Sequence, residues 1–512
     1  MDTVAFVRRS LSTDAEQTFS ERVDRQADRL KRAIADGAFD SDGLSVGLEL
    51  EATVLDQSGD APVTLGRVPD AAFSTAGVAP ELGVHNLEVN AAPAPLSTSG
   101  LRRQRSQIAD AIDAARRAVG PTRDLALSGM APAPAADGTV AYLSAVEDRD
   151  GVTVARNMHA DPRYIAIDND SLRRAGGSIP FSVPGFEHAF PTILFESLAT
   201  SIQPHVLVPE AEALPRALAA AIRTLGPVLS LSTNSPLLPA DCYTGADPEA
   251  VLADTHHELR IAAFEQSVNH TDRPKVAVPA DVTAPGDAVD AIAGDDTLAP
   301  VLFEWLREAS EDRSGLDVYW ELRHKRGLFW RWVRPVFGGD PVAGICDQQS
   351  IRIEYRPLPT QPTVSETVGL TALVAGVIHG IVVTDHPVLD LERAAAESCF
   401  YDVVENGPTA DLAWIDRDGE PLTDRDRVWA DLFRTARAGL ADADVDSSDA
   451  DDLLAPIERR AETGVVPSQW LLDRCEAALD GGRSFPEAIR TAQAAYRQRA
   501  RSGRPVAEWS VE

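Results

Sequence analysis

The sequence predicts an α+β fold built on a largely antiparallel sheet. Strand-like and helix-like segments mix without the regular alternation of a doubly wound fold. Separate strand-like segments place polar side chains on one face and apolar ones on the other. Beyond about residue 410 the chain is helical and charged. Of its 512 residues 44% are hydrophobic and 6% aromatic, a globular composition with enough chain to bury a core without disulfides.

The first forty residues read as one helix, with a Ser/Thr/Asp cap, apolar residues at helical spacing and Gly37 as its stop. LSVGLELEATVLD (44–56) alternates as a strand. ELGVHNLEVNAAPAP (81–95) is a second strand running into a Pro-rich loop, and a helix follows over 101–119. Further strand-like segments are YIAI (164–167), SLATSIQPHVLV (197–208) and QSIRIEYRPL (349–358). Helices are expected over 212–232, 301–309 and 366–383. Two stretches, 280–296 and the acidic run 441–452, read as surface insertions or linkers. The organisation expected is an N-terminal helical segment (1–40), a catalytic domain (41–400) and a helical accessory region (401–512). The longest apolar run, 368–383, would reach about 24 Å as a helix, short of the ~30 Å core of a bilayer. It therefore reads as a buried helix.

Charge narrows the function. Lys plus Arg number 48 against 79 Asp plus Glu, a net −31, and only Lys31, Lys275 and Lys325 are lysines. Such a molecule repels phosphate backbones and anionic lipid, so nucleic acid and membrane are not expected partners. Hydrated carboxylates with few lysines suit a halophilic, salt-rich cytoplasm, where screening removes their mutual repulsion. The N-terminal MDTVAFVRRS has no secretory character, so a cytoplasmic location is expected. Cys242, Cys346, Cys399 and Cys475 form no CxxC pair, which argues against a thiolate zinc site and a disulfide framework.

Several catalytic signatures are missing: there is no GxxxxGK[ST], no HExxH and no GxGxxG after a strand. Gly43 to Gly47 fits GxSxG, but a loop precedes it and a strand follows, the reverse of a nucleophile elbow. His256-His257-Glu258 reads as the solvated face of a helix.

The informative residues are carboxylates. Glu49 and Glu51 lie on one face of a strand, where they repel unless a cation or solvent intervenes. A solvated outer face would explain that pair alone. Glu81 and Glu88 add further acids, and Glu354 shares a face with Arg352 and Arg356. Gln203 and His205 also alternate with apolar neighbours, provided Pro204 sits at a strand start or an edge. A sheet face carrying carboxylates and arginines suits a nucleotide–metal site, because carboxylates hold divalent ions and arginines neutralise a transferring phosphoryl group.

These segments resemble the glutamate–cysteine ligase type 2 (carboxylate–amine ligase) family, relatives of glutamine synthetase. The resemblance rests on VGLELEATVLD, ELGVHNLEVNAAPAPLSTSGL, VLSLSTNSPLL, VYWELR and IRIEYRPLPTQPTVSETVGLTALVAGVIHGI, in that order, over roughly residues 43–385. It implies a glutamine synthetase-like fold: a carboxylate-lined sheet face with helices packed on the other. It implies ATP and Mg2+, with Glu49, Glu51, Glu81, Glu88 and Glu354 as metal ligands. Arg356 would contact phosphate or the substrate carboxylate, and Arg323 would lie near the phosphates. His205 and Gln203 would stand near ATP, and Arg163 would help hold substrate. The implied reaction joins the γ-carboxylate of glutamate to an amine such as cysteine. A related ligase using another amine, and a guanidino-kinase-like phosphotransferase, remain alternatives. A binding-only descendant would have no reason to keep the acids together.

The chain departs from the family pattern in three places. Gln203-Pro204-His205 replaces an HxH-like stretch, Pro359 stands where an aspartate is frequent, and an extra segment contains KRGLFWRWVRP. Arg331 and Arg334 in that segment read as surface charges.

Overall fold

The computed structural model describes residues 2–57, 62–306, 315–339, 341–346 and 349–510. Its centre is an eight-stranded antiparallel sheet of β1 (Ser45–Asp56), β2 (Thr64–Leu65), β3 (Val78–Pro80), β4 (Asn86–Pro95), β5 (Arg123–Ala126), β6 (Ile202–Val208), β7 (Val333–Phe337) and β8 (Ile351–Tyr355). The strand order is β7-β8-β6-β1-β4-β3, and β2 and β5 both pair with the C-terminal end of β1.

Alternation sorts the two faces. Val46, Leu48 and Leu50 of β1 pair with Val206, Pro204 and Ile202 of β6, and all are buried. Helices Thr98–Val119, Leu214–Leu229 and Val364–Val383 cover this apolar face. The helix Val364–Val383 is long and apolar enough to cross a membrane, but 83% of its apolar window is buried inside the fold. Gly376 and Gly380 let it approach the helix Arg425–Asp442 closely: a Cβ on Gly376 would lie 2.7 Å from the Ala436 carbonyl oxygen.

The C-terminal helices Arg425–Asp442, Ser447–Thr463, Pro467–Asp480 and Phe485–Arg501 share one hydrophobic core with the rest of the chain. Arg460 is buried and donates to the Leu231 carbonyl and to Gln361 Oε1, each at 2.8 Å, with Glu366 2.8 Å away. Tyr496 Oη accepts from Asn234 at 2.7 Å and donates to the Leu127 carbonyl. These bonds tie the C-terminal helices to the NSP and QPT turns.

Several expectations are corrected. The first forty residues form two helices, Thr3–Ser10 and Thr13–Ala35, because Ser12 caps the second through Ala15 N. YIAI lies within the helix Pro162–Arg174, opened by the Asp161 cap and a first-turn proline; a four-residue apolar run does not separate strand from helix. Of the helix expected over 301–309, the structure has one 3-10 turn, Phe303–Trp305, and residues 307–309 lie outside the described residues. Residues 280–296 contain the helix Pro285–Ala293, whose Val289 and Ile292 are buried where it packs on Thr13–Ala35. The acidic run 441–452 closes one helix and opens the next. Pro204 sits within an interior strand; the β6–β8 ladder begins at His205–Glu354, so the proline lies just beyond its end.

Candidate active site

The register puts the polar residues of five strands on the open face of the sheet. Glu49 of β1 stands opposite Gln203 of β6 and Asn90 of β4, and Glu51 stands opposite Glu88. Gly47, His205, Glu354 and Arg334 form the next row, across β1, β6, β8 and β7. Above this face the helices Pro162–Arg174, Leu259–Val268 and Trp320–Gly327 contribute to the walls of a cleft of about 450 Å³. A second lobe of about 440 Å³ adjoins it. Glu49, Arg323 and Arg326 line both.

Acid dominates the first lobe. Carboxylate oxygens of Glu51, Glu81 and Glu88 all lie within 4.8 Å of one another. Glu81 belongs to the turn leading into β4 rather than to the strand itself. Burial first, and then the charges of Glu51 and Glu88, push its carboxyl well above the ordinary range. Burial together with Glu49 and Glu51 pushes Glu88 up to about 8, while Asn90 Nδ2 donates to it at 2.7 Å. Burial also raises Glu51, although its oxygens accept from Ser201 N at 2.7 Å and Gln203 Nε2 at 3.1 Å. Such mutual repulsion is relieved by a cation, and carboxylate oxygens are the ligands hard divalent ions take. Glu49 differs. Burial opposes its charge, but His205 Nε2, 3.2 Å away, outweighs that and holds it below the usual value.

Glu354 is buried among arginines. It accepts from Arg334 Nη2 at 2.8 Å and from Arg356 Nη1, and Arg326 Nη1 lies 3.8 Å away. Against the cost of burial, Arg334 and Arg356 hold its carboxyl well below the usual range. Arg356 Nη1 also donates to Gln203 Oε1 at 2.6 Å, so its guanidinium is fixed where it lines the cleft. Arg163 lines the cleft while pairing with Asp161 at 2.7 Å. Arg323 reaches the cleft from the helix Trp320–Gly327 and has no ion pair among the described residues; burial lowers its pKa. Glu49, Glu51, Glu81, Glu88, Arg163, Gln203, Arg323 and Arg356 line this cleft; His205 lines the second lobe, and Glu354 lies behind Arg356.

The second lobe is cationic. Arg352 Nε donates to His205 Nδ1 at 3.0 Å and its Nη1 to the Gly338 carbonyl at 2.8 Å. Gly339, at φ +120°, leaves the space this guanidinium fills, and a Cβ there would collide with it.

Sequence reasoning missed Arg326 and Glu196 and misread Arg331, Arg334 and His256-His257-Glu258. Arg334 is buried against Glu354, not a surface charge, and Arg331 donates to the Lys275 carbonyl and to Asp295. The alternation of WVRPVF was the available signal, but its partner strand is set by long-range pairing. Arg326 lines both lobes. Glu196 stands in the cleft wall on the 3-10 turn Ile193–Leu198, where no periodicity marks it. His256-His257-Glu258 is not solvated: Glu258 is fully buried and accepts from Asn234 N at 2.9 Å and Ser235 Oγ at 2.5 Å.

No curated protein sequence is close enough to match this chain. Its fold is similar to that of a glutamate–cysteine ligase from Francisella tularensis, solved in complex with AMP. That likeness has 13% identity and a TM-score of 0.51, and covers 93% of this chain and 91% of the other. A bifunctional glutathione synthetase from Pasteurella multocida is 12% identical at a TM-score of 0.49, covering 89% of this chain and 52% of that one. A family model, glutamate-cysteine ligase family 2, matches residues 45–509, from β1 through the last long helix. The chain belongs to glutamate–cysteine ligase family 2 and is a carboxylate–amine ligase of that family.

Proposed function

We propose that the protein joins the γ-carboxylate of glutamate to the amino group of cysteine, using ATP and Mg2+ and passing through an acyl phosphate. One observation carries this reading: Glu51, Glu81 and Glu88 converge within 4.8 Å in a cleft that Arg356, Arg323 and Arg326 also line. The donor set fits Mg2+, being all oxygen, clustered, and raised by burial and then by mutual repulsion, with Glu49 beside it. Once bound, the ion would offset phosphate charge. The AMP of the Francisella enzyme lends support to a nucleotide in this fold.

The chain's own groups do the rest. Arg356, held by Glu354 and Gln203, presents a fixed guanidinium to charge that develops on the transferring phosphoryl group. In this reading Glu354 holds Arg334 and Arg356 in place instead of binding metal: its Oε1 accepts from both, and Arg326 lies 3.8 Å from its Oε2. Arg323 and Arg326 bridge the two lobes and receive the phosphate chain. His205, pinned by Arg352, keeps Glu49 ionised. Arg163 lines the same cleft and would take the substrate carboxylate. A carboxylate oxygen of glutamate attacks the γ-phosphorus and ADP leaves; the amine then attacks the acyl carbon and phosphate leaves. No side-chain nucleophile is required, and no cysteine lines the cleft among the described residues.

The test is turnover with ATP, Mg2+, glutamate and a panel of amines at high KCl, with product mass as the readout. A γ-glutamyl amide and one phosphate per bond are expected. A stable phosphorylated product, or ADP release indifferent to every amine, would replace this reading with a phosphotransferase.

A further inference from the structure

We infer that Glu196 is the base of the amide-forming half of the reaction, taking a proton from the acceptor's ammonium group; the inference rests on the ligase reading above. Glu196 lies in the first lobe's wall, and among the described cleft carboxylates it alone has neither a bond of its own nor a place in the three-carboxylate cluster. Glu49 has His205, Glu51 has Ser201 and Gln203, Glu88 has Asn90, and Glu81 completes the cluster.

Its turn is rigidly held. Asp168 accepts from Ile193 N at 2.8 Å and from Thr192 Oγ1 at 2.9 Å. His85 Nε2 lies 3.0 Å from the Ser197 carbonyl oxygen, and Ala131 N donates to the Leu198 carbonyl at 2.7 Å. Phe195 stacks on Phe181 and Phe190, with ring centroids 4.7 and 5.1 Å away. A carboxylate on a backbone held this firmly, with no hydrogen bond of its own, is placed for something that enters the cleft. Phe264, Leu328 and Trp330 line the same lobe and give the amine's apolar body a dry wall.

The chemistry requires such a group. At neutral pH the acceptor arrives as R–NH3+, whose nitrogen has no lone pair to attack with. One proton passes to a Glu196 carboxylate oxygen, giving R–NH2. The nitrogen then forms the C–N bond as the C–O bond to phosphate breaks, and the second proton leaves with the phosphate as HPO4(2−). Burial in the cleft wall favours the protonated carboxyl, the direction a proton acceptor requires.

The test compares two nucleophiles on Glu196→Gln. Cysteine enters as an ammonium; hydroxylamine is largely unprotonated at neutral pH and needs no base. The variant should lose about 100- to 10,000-fold in cysteine-dependent turnover while keeping most of its hydroxamate formation. Scrambling of bridging 18O in ATP with glutamate and no amine should persist, since acyl phosphate formation does not involve Glu196. Equal losses with both nucleophiles, or unchanged turnover with cysteine, would overturn the assignment. If Glu196→Gln does not fold, Glu196→Asp carries the same comparison: a selective cysteine defect supports the assignment and an equal one overturns it. Wild-type protein inactive with both nucleophiles would overturn the ligase reading and this assignment together. Wild-type hydroxamate formation with a non-selective variant would overturn this assignment alone.

Discussion

Arg356→Lys separates a guanidinium that acts on charge in the cleft from one that merely braces the sheet. The side chain is 12% exposed, donates through Nη1 to both Gln203 and Glu354, and its guanidinium carbon lies 5.8 Å from the Phe264 ring centre. Lysine keeps the charge but loses the planar fork, so it reaches one partner and lets the other relax. Losing one charge-assisted bond costs about 1.5–3 kcal/mol of stability, with the neighbouring Arg334–Glu354 bond left intact. If Arg356 also meets charge developing during phosphoryl transfer, removing a preorganised donor costs a further 100- to 1000-fold in kcat, roughly 2.7–4 kcal/mol. The assay is phosphate release with saturating ATP, glutamate and amine at high KCl, alongside thermal unfolding in the same buffer. The account expects kcat to fall about 100-fold or more with KM for ATP little changed. A kcat within about threefold of wild type, together with the stability loss, would reduce Arg356 to a strut.

Metal binding should depend on pH. Without an ion, burial and the neighbouring acids keep Glu88 protonated up to about pH 8. Below that value binding displaces a proton, so affinity for Mg2+ should fall by up to about tenfold per pH unit on acidification. Calorimetry in buffers of different ionisation heat checks this, and a pH-independent affinity would refute it. A net charge of −31 should make activity and thermal stability fall on dilution into low salt, as screening is lost. Full activity in dilute buffer would show that the acidity serves a basic partner instead. Gly380→Ala should destabilise the fold by about 1–3 kcal/mol or more, because the new Cβ collides with the Thr435 carbonyl of the facing helix. Denaturant unfolding reads this directly, and an unchanged midpoint would refute the close packing.

The sheet's polar face was legible because it is polar: period-two alternation in LELE and IRIEYR survives in β1 and β8, where one side meets helices and the other the cleft. The buried helix over 368–383 was legible from its length and apolarity. Irregular elements hid their residues. Glu196 sits on a short 3-10 turn, and Glu81 in a turn whose position is set by the Gly83–Met158 bridge. Arg334 carried an alternation, but its meaning depended on β7 pairing with β8, a contact local sequence does not encode. YIAI is too short to decide between periods, and the Asp161-Pro162 start is the local signal that marks it as a helix. In 280–296 the glycines and aspartates outweighed Val289 and Ile292, whose i,i+3 spacing was the sign of a packed helix.

The central claim is that glutamate's carboxylate becomes an acyl phosphate in this cleft, and isotope transfer tests it most directly. Glutamate labelled with 18O in its γ-carboxylate, turned over with ATP, Mg2+ and cysteine, should deliver one labelled oxygen to each phosphate released. Mass spectrometry of that phosphate reads the result. Unlabelled phosphate accompanying a genuine γ-glutamyl amide would contradict the acyl phosphate route. Label in phosphate that tracks amide formation, molecule for molecule, is the result the account predicts.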